Sequence, residues 1–455
     1  MRPSVSHAGL GEEFYDLVVP ARFPRHVLRY RNQRWAARVG LDGLDEAAWI
    51  AHFGRFAPLP GSFAQPLALR YHGHQFRVYN PDLGDGRGFL FAQLHDLADG
   101  RLLDLGTKGS GRTPWSRGAD GRLTLKGGVR EVLATALLEA LGVYTSKSFS
   151  LIETGEDLIR GDEPSPTRSS VLVRLSHSHI RIGTFQRLAY LRDAESMRRL
   201  LQYTVQTYFP ELAGLEEAAM AAAFLAEVTR RVARLGAQWT AAGFVHGVLN
   251  TDNINVTGES FDYGPWRFLP HYDPRFTAAY FDHGELYAFG RQPGTLIWNL
   301  VRLAECLLIV AAKPALEAAL DAFSPAYDAA LLAAMRWRLG LLPAEAAVET
   351  AYVNALWDAL EATGAPFEQA MFDWRGGTAP AAVYGAAWDG VRAALAGVAA
   401  RPDARAHPYF QGSAPESLLI EEVEALWAPI ADRDDWAPLY AKLEAIEAVR
   451  QAYAG

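Results

Sequence analysis

The sequence predicts an α+β protein of two lobes, mixed strand and helix in the first and mainly helical in the second, with extra helices after them. Three observations carry this. Apolar runs of strand length at residues 89–94, 101–105, 148–152 and 171–175 are bounded by turn residues, glycine above all. From Ala194 onward the apolar repeat becomes helical, over residues 197–209, 215–242, 294–312, 315–323, 326–339 and 344–363. The change of pattern falls at residues 191–194, where one lobe should give way to the other. The 455 residues suffice for two or three such units. The expected organisation is an arm over 1–60 packed on the first lobe, the first lobe over 61–192, the helical lobe over 193–379 and a helical extension over 380–455.

Composition narrows the function. With 50% apolar and 21% charged residues the chain is not a disordered one. Its most apolar stretch, 296–310, carries Arg302 and Glu305, so no membrane span is expected. A net charge of -8 disfavours nucleic acid as the main partner. The single cysteine, Cys306, cannot form an intramolecular disulfide and is expected in the core. The first ten residues lack the apolar stretch of a secretory signal, and Glu12, Glu13 and Asp16 do not suit a transit peptide; the expected location is cytoplasmic.

Taken in order, residues 4–39 mix Pro, Arg and aromatic side chains without a clear period and read as an extended arm with short helices. A helix over 44–53 follows, stopped by Pro58-Leu59-Pro60-Gly61. His72 and His74 have no Cys or carboxylate at metal-ligand spacing, and polar packing beside a turn is the preferred reading. Gly84, Gly86 and Gly88 allow backbone amides to approach a phosphate, and Arg87 adds a fork of donors. Glycine turns between strands are common, so this turn does not decide by itself. Lys108 ends the second strand. A helix over 128–141, closed by Gly142, carries Glu131 in its first turn, either meeting the helix dipole or clamping Lys108. Arg174 and Arg181 lie seven residues apart, Arg181 among the apolar Ile180 and Ile182, and an exposed strand arginine in a salt bridge is the plain reading of the spacing. The Ala-rich, acidic tail, 381–455, reads as helical packing interrupted at Pro402 and Pro408.

The stretch that organises the rest is His246-Gly247-Val248-Leu249-Asn250-Thr251-Asp252-Asn253, followed by Asp262-Tyr263-Gly264. Strand-like runs at 254–256 and 260–261, joined by Thr257-Gly258, suggest a hairpin bringing Asn253 and Asp262 to one mouth. Protein kinases hold their metal ions this way, with H-R-D-L-x-x-x-N followed by D-F-G. The position of the kinase base is Val248, which cannot take a proton, and Asp252 is the nearest carboxylate that can. Asp and Asn are also ordinary turn residues. That explanation leaves the spacing of His246, Asn253 and Asp262 unaccounted for.

Together with Lys108-Gly109-Ser110-Gly111, Thr113-Pro114-Trp115-Ser116-Arg117, Asp120-Gly121, Ser178-His179-Ile180-Arg181 and Tyr272-Asp273-Pro274, these motifs closely resemble the selenoprotein O family over about residues 24–299. The resemblance implies a protein-kinase-like fold and a protein adenylyltransferase that binds ATP reversed, its α-phosphate toward the acceptor. It implies that Lys108, Arg174 and Arg181 hold the phosphates and that Gly84, Gly86, Arg87, Asp120, Gly121 and Asp262 line the nucleotide. Glu131 would orient Lys108, Asn253 and Asp262 would bind Mg²⁺ or Mn²⁺, and Asp252 would accept the proton. The acceptors would be Ser, Thr or Tyr hydroxyls of proteins, this chain included, with UTP and Mn²⁺ as a second donor pair. The chain departs from the family at its end, where Tyr453-Ala454-Gly455 replaces a terminal Cys or selenocysteine pair, so redox control through the tail is not expected. Two other readings stay open: a phosphotransferase with a relocated base, and an ATP-binding scaffold without catalysis.

Overall fold

The computed structural model describes residues 1–161, 163–380 and 383–454. It is a mixed α/β structure built on a large antiparallel sheet. The strands are β1 (Pro3–Ser4), β2 (Tyr15–Leu17), β3 (Val27–Arg31), β4 (Leu67–Leu69), β5 (Gly73–Gln75), β6 (Val78–Asn80), β7 (Leu90–His95), β8 (Leu102–Lys108), β9 (Leu123–Thr124), β10 (Lys147–Leu158) and β11 (Thr167–Ser176), with a short antiparallel pair, β12 (Phe244–Val245) and β13 (Arg267–Phe268), later in the chain. The sheet runs β2-β4-β7-β8-β11-β10-β3, with β1 added to β7 and β9 to β11; β5 and β6 form a separate hairpin. Strands from the first 60 residues are thus members of the sheet itself. β10 and β11 are longer than the expected runs at 148–152 and 171–175, because their pairing continues through polar residues past a bulge to Leu158 and Thr167.

Alternation along the strands sorts the core into two faces. Val171 and Val173 join a cluster with Trp49, Phe53 and Phe149, formed where α1 (Gln33–Arg38) and α2 (Glu46–Phe53) cover the sheet. Leu172 and Leu151 point the other way, against Val129 and Leu133 of α3 (Leu125–Ala140). The central strand β8 is buried along its whole length, so Lys108 ends up buried too.

α3 begins earlier than the expected 128. The Thr124 hydroxyl accepts from the Gly127 N–H at 3.1 Å and caps the helix, overriding the weak helix propensity of Gly127 and Gly128. Glu131 therefore lies beyond the first turn, where its partner is Lys108 rather than the helix dipole.

The remaining helices are α4 (Ile182–Leu191), α5 (Ala194–Tyr208), α6 (Glu217–Ala241), α7 (Gln292–Leu307), α8 (Lys313–Leu320), α9 (Phe323–Arg338), α10 (Ala346–Thr363), α11 (Phe367–Asp373), α12 (Asp389–Leu395), α13 (Ile420–Arg433) and α14 (Ala437–Ala454). α5 to α10 match the expected periodic segments within a few residues. α4 lies before the expected change of pattern. The tail is helical in α12, α13 and α14, with irregular chain and a single 3₁₀ turn at Pro408–Gln411 between α12 and α13; residues 381, 382 and 455 of it lie outside the described residues. Cys306 is buried on α7. α14 packs along α3, and Asp434 ties the α13–α14 turn to Arg29 of β3 at 3.0 Å and Arg168 of β11 at 2.6 Å. No helix among the described residues is long and apolar enough to cross a membrane.

Candidate active site

A cavity of about 350 Å³ opens between the sheet and the loop that carries Asp252. Gly84, Gly86, Arg87, Lys108, Arg174, Arg181, Asp252 and Asp262 all line it.

At its floor, the Lys108 Nζ bonds Glu131 and donates to Asp262 Oδ1 at 2.8 Å. Arg174 Nη1 donates to the same oxygen at 3.1 Å, and Asn253 Nδ2 to Asp262 Oδ2 at 3.1 Å. Burial alone would favour a neutral Asp262, but Lys108, Arg174 and Arg87 outweigh it and hold the carboxyl well below the usual range. Asp262 has φ of 64°, a left-handed conformation that costs a non-glycine residue energy and has to be held in place. The neighbours do so. Gly264 N–H donates to Asp262 O at 3.0 Å, and Phe261 O accepts from His246 Nε2 at 3.0 Å. The Tyr263 hydroxyl bonds Thr145 and Ser260 at 2.5 and 2.7 Å.

The expected hairpin between 254–256 and 260–261 does not form as a ladder. Asn255 bridges Arg181 and Ser260 bridges Thr145, so each run is taken up by a neighbouring segment; runs this short make too few bonds with one another. The turn between them survives, with Gly258 N–H on Asn255 O at 3.0 Å.

The Asp252 loop is pinned from three sides. Thr251 donates to Gln186 Oε1 of α4 at 2.5 Å and accepts the His74 N–H of β5 at 2.7 Å. Asn250 Oδ1 accepts from Phe76 N–H at 3.1 Å and the Tyr287 hydroxyl at 2.7 Å. His72 and His74 bond Tyr79 and Gln186, which is polar packing. Asp252 Oδ1 is buried with no hydrogen-bond partner among the described residues. Burial pushes its carboxyl up to about 6, with Arg181 opposing and the charge on Asp262 adding. Val248 packs against the main apolar cluster and does not line the cavity.

The glycine turn forms the lip. A Cβ at Gly88 would lie 1.9 Å from Thr107 O, and one at Gly84 2.4 Å from Trp115 Cγ, so both positions need the missing side chain. Ser116 Oγ donates to Gly86 O and Thr113 Oγ1 to Asp85 O, each at 2.5 Å. Arg87 is exposed at the rim. Arg174 and Arg181 are buried and face inward; neither is an exposed strand arginine, and Arg181 stands at the N-cap of α4.

Two of the expected residues lie elsewhere. Asp120 accepts from Arg160 at 2.8 and 3.1 Å and lines a neighbouring cleft with Arg112 and Glu156. Gly121 O accepts from Gly111 N–H at 3.1 Å beside it. Tyr71, Asp85, Trp115 and Arg117 also line the cavity and were absent from the expected set. Trp115, Arg117 and Asp85 stand in motifs already singled out, Asp85 between Gly84 and Gly86, and Tyr71 directly precedes the His72-Gly73-His74 run.

A lysine and two buried arginines grouped around the Asp262 carboxylate beneath a glycine lip can receive a phosphate-bearing ligand. Comparison with known proteins agrees. In class the chain is an enzyme, a nucleotidyltransferase. Residues 3–382 match the family model described as Protein adenylyltransferase SelO, and the chain belongs to that family. It is 46% identical over 466 aligned residues to protein nucleotidyltransferase YdiU of Gloeobacter violaceus, covering 98% of this chain and 94% of that one. Relatives of the same name in Synechococcus elongatus and a Bradyrhizobium species are 54% and 40% identical over 338 and 370 residues. Those alignments cover 73% and 80% of this chain and 67% and 74% of theirs. The resemblance expected from the motifs is borne out and extends beyond residues 24–299.

Proposed function

We propose that the cavity binds ATP and that the chain transfers AMP to Ser, Thr or Tyr hydroxyls of proteins, in a protein-kinase-like arrangement of a strand-rich and a helical lobe. The observation that carries the reading is the convergence on Asp262 of Lys108, held by Glu131, with Arg174 and Asn253. Those elements occur in kinase order: glycine turn, strand lysine, helix glutamate, asparagine loop, aspartate. Val248 and Asp252 support adenylyl rather than phosphoryl transfer, since the kinase base is replaced by valine while an unpartnered carboxylate stands beside the metal-binding asparagine.

Asn253 and Asp262 would hold Mg²⁺ or Mn²⁺. Among the described residues no group of three or more His, Cys, Asp and Glu side chains could hold an ion alone. Two oxygen-bearing side chains fit an ion whose other ligands are substrate phosphates and water. When bound, it would neutralise charge on the departing pyrophosphate. The protein's own part is as follows. Lys108, Arg174 and Arg181 take up phosphate charge, and Glu131 keeps the Lys108 ammonium aimed into the cavity. Asp252 accepts the proton as the acceptor oxygen bonds to the α-phosphorus and pyrophosphate leaves. A metal and phosphate grip of this kind admits UTP with Mn²⁺ as a second donor pair.

Incubation with ATP labelled at the α- or the γ-phosphate tests the reading. Label from the α-position on protein, lost in Asp262→Ala, is expected. Label from the γ-position alone would make the chain a phosphotransferase, and nucleotide binding with no label on any acceptor, itself included, would favour a scaffold.

A further inference from the structure

Arg174 and Arg181 bring fixed positive charge into a buried place, and each meets a carboxylate through one nitrogen only. Arg174 donates to Asp262 Oδ1 at 3.1 Å; Arg181 reaches Asp85 Oδ1 at 3.5 Å and Asp252 O at 3.3 Å. The Nε of each is buried with no hydrogen-bond partner among the described residues. Aromatic rings also lie against them. The Arg181 guanidinium carbon lies 4.1 Å from the Tyr71 ring centroid and 5.2 Å from that of Phe261, and the Arg174 carbon lies 5.6 Å from the same Phe261 ring. Phe261 is fully buried, directly precedes Asp262, and has its carbonyl held by His246.

An aromatic face attracts a guanidinium through the ring quadrupole and takes none of its N–H groups. A carboxylate in the same place would bind the fork in two bonds and cancel its charge. We propose that Phe261, with Tyr71, is a positioning platform for the two arginines, an inference that rests on the nucleotide reading above. Its rings hold both forks at fixed places despite their like charge and leave the N–H groups not taken by Asp262, Asp85 and Asp252 for the oxygens of a triphosphate. Phe261 touches no substrate; it acts through Arg174 and Arg181. Its place beside Asp262 couples the arginines to the carboxylate that they flank.

The test measures affinity for ATP and for AMP by calorimetry with Mg²⁺, on the full chain and on Phe261→Leu, Tyr71→Leu and Tyr71→Phe. The platform predicts that the ratio of ATP to AMP affinity falls about tenfold in Phe261→Leu and falls also in Tyr71→Leu. Tyr71→Phe, which keeps the ring, should match the original chain. Affinities for ATP and AMP falling together would mean a structural defect and overturn the proposal, as would an unchanged ratio in both leucine variants. If the unaltered chain bound no ATP at all, the nucleotide reading itself would fail, a result distinct from either.

Discussion

Lys108 and Asp262, 154 residues apart in the chain, meet with Nζ 2.8 Å from Oδ1, and the same ammonium bonds Glu131. The Lys108 and Glu131 side chains are only 6% and 1% exposed, so removing the lysine strands a buried carboxylate. Lys108→Ala is expected to cost roughly 3–5 kcal/mol of stability by chemical denaturation. It should also lower AMP transfer at least about a hundredfold. Replacing both partners by apolar residues, Lys108→Met with Glu131→Leu, should restore much of the stability and none of the transfer. Recovered transfer in the double variant would remove Lys108 from the site.

Asp252→Asn keeps the shape of the side chain and removes its capacity to take a proton. Transfer from α-labelled ATP should fall about a hundredfold or more, with ATP affinity within a few fold of the original. Unimpaired transfer would show that Asp252 is a turn residue and that the base lies elsewhere.

Glu259 supplies a pH dependence away from the cavity. It is buried, and its Oε2 accepts from His177 N–H at 2.8 Å. Burial raises its pKa from 4.5 to about 7, with Lys147 opposing. The fold favours the neutral form, so this stabilisation is complete below about pH 4.5 and is lost as pH rises through about 7. Glu259→Gln keeps an acceptor for His177 and does not ionise. The melting temperature of the variant relative to the original should therefore be higher at pH 8 than at pH 5. A difference independent of pH would contradict the shift.

Gly88→Ala places a Cβ 1.9 Å from the Thr107 carbonyl oxygen, on backbone that cannot swing aside. The variant should lose several kcal/mol, about the upper end of overpacking effects, seen as a lower denaturation midpoint. Gly118→Ala, in the loop between β8 and β9, meets nothing within 4 Å but stands at φ of 82°, so it should show only the smaller cost of backbone strain.

Several parts of the site are legible without coordinates because their chemistry is carried by local spacing. Lys108 ends an apolar strand after a glycine turn, and Glu131 sits on an amphipathic helix. Asn253 and Asp262 occupy a loop whose residue types have few other uses together. The cost of burying a lone charge makes their pairing predictable, since Lys108 inside the sheet requires a carboxylate. Element ends are less legible. α3 starts at a threonine cap before two glycines, and α4 begins with Ile182-Gly183-Thr184, where propensity points away from helix and packing decides.

By itself, then, the sequence determined the strand-then-helix order, the local motifs that carry Lys108, Glu131, Asn253 and Asp262, and the absence of a base at Val248, all of which depend on neighbours within a few turns of chain. Tertiary structure alone decided that Asn255 pairs with Arg181 rather than with its own hairpin partner. It also decided that Asp120 turns to Arg160 and a second cleft, and that Tyr71 and Phe261 both meet the Arg181 guanidinium. The physical reason is common to all three. A bridge, an ion pair or a ring contact between distant segments is settled by which surfaces the core brings together, and that competition is not written in any one stretch of the chain.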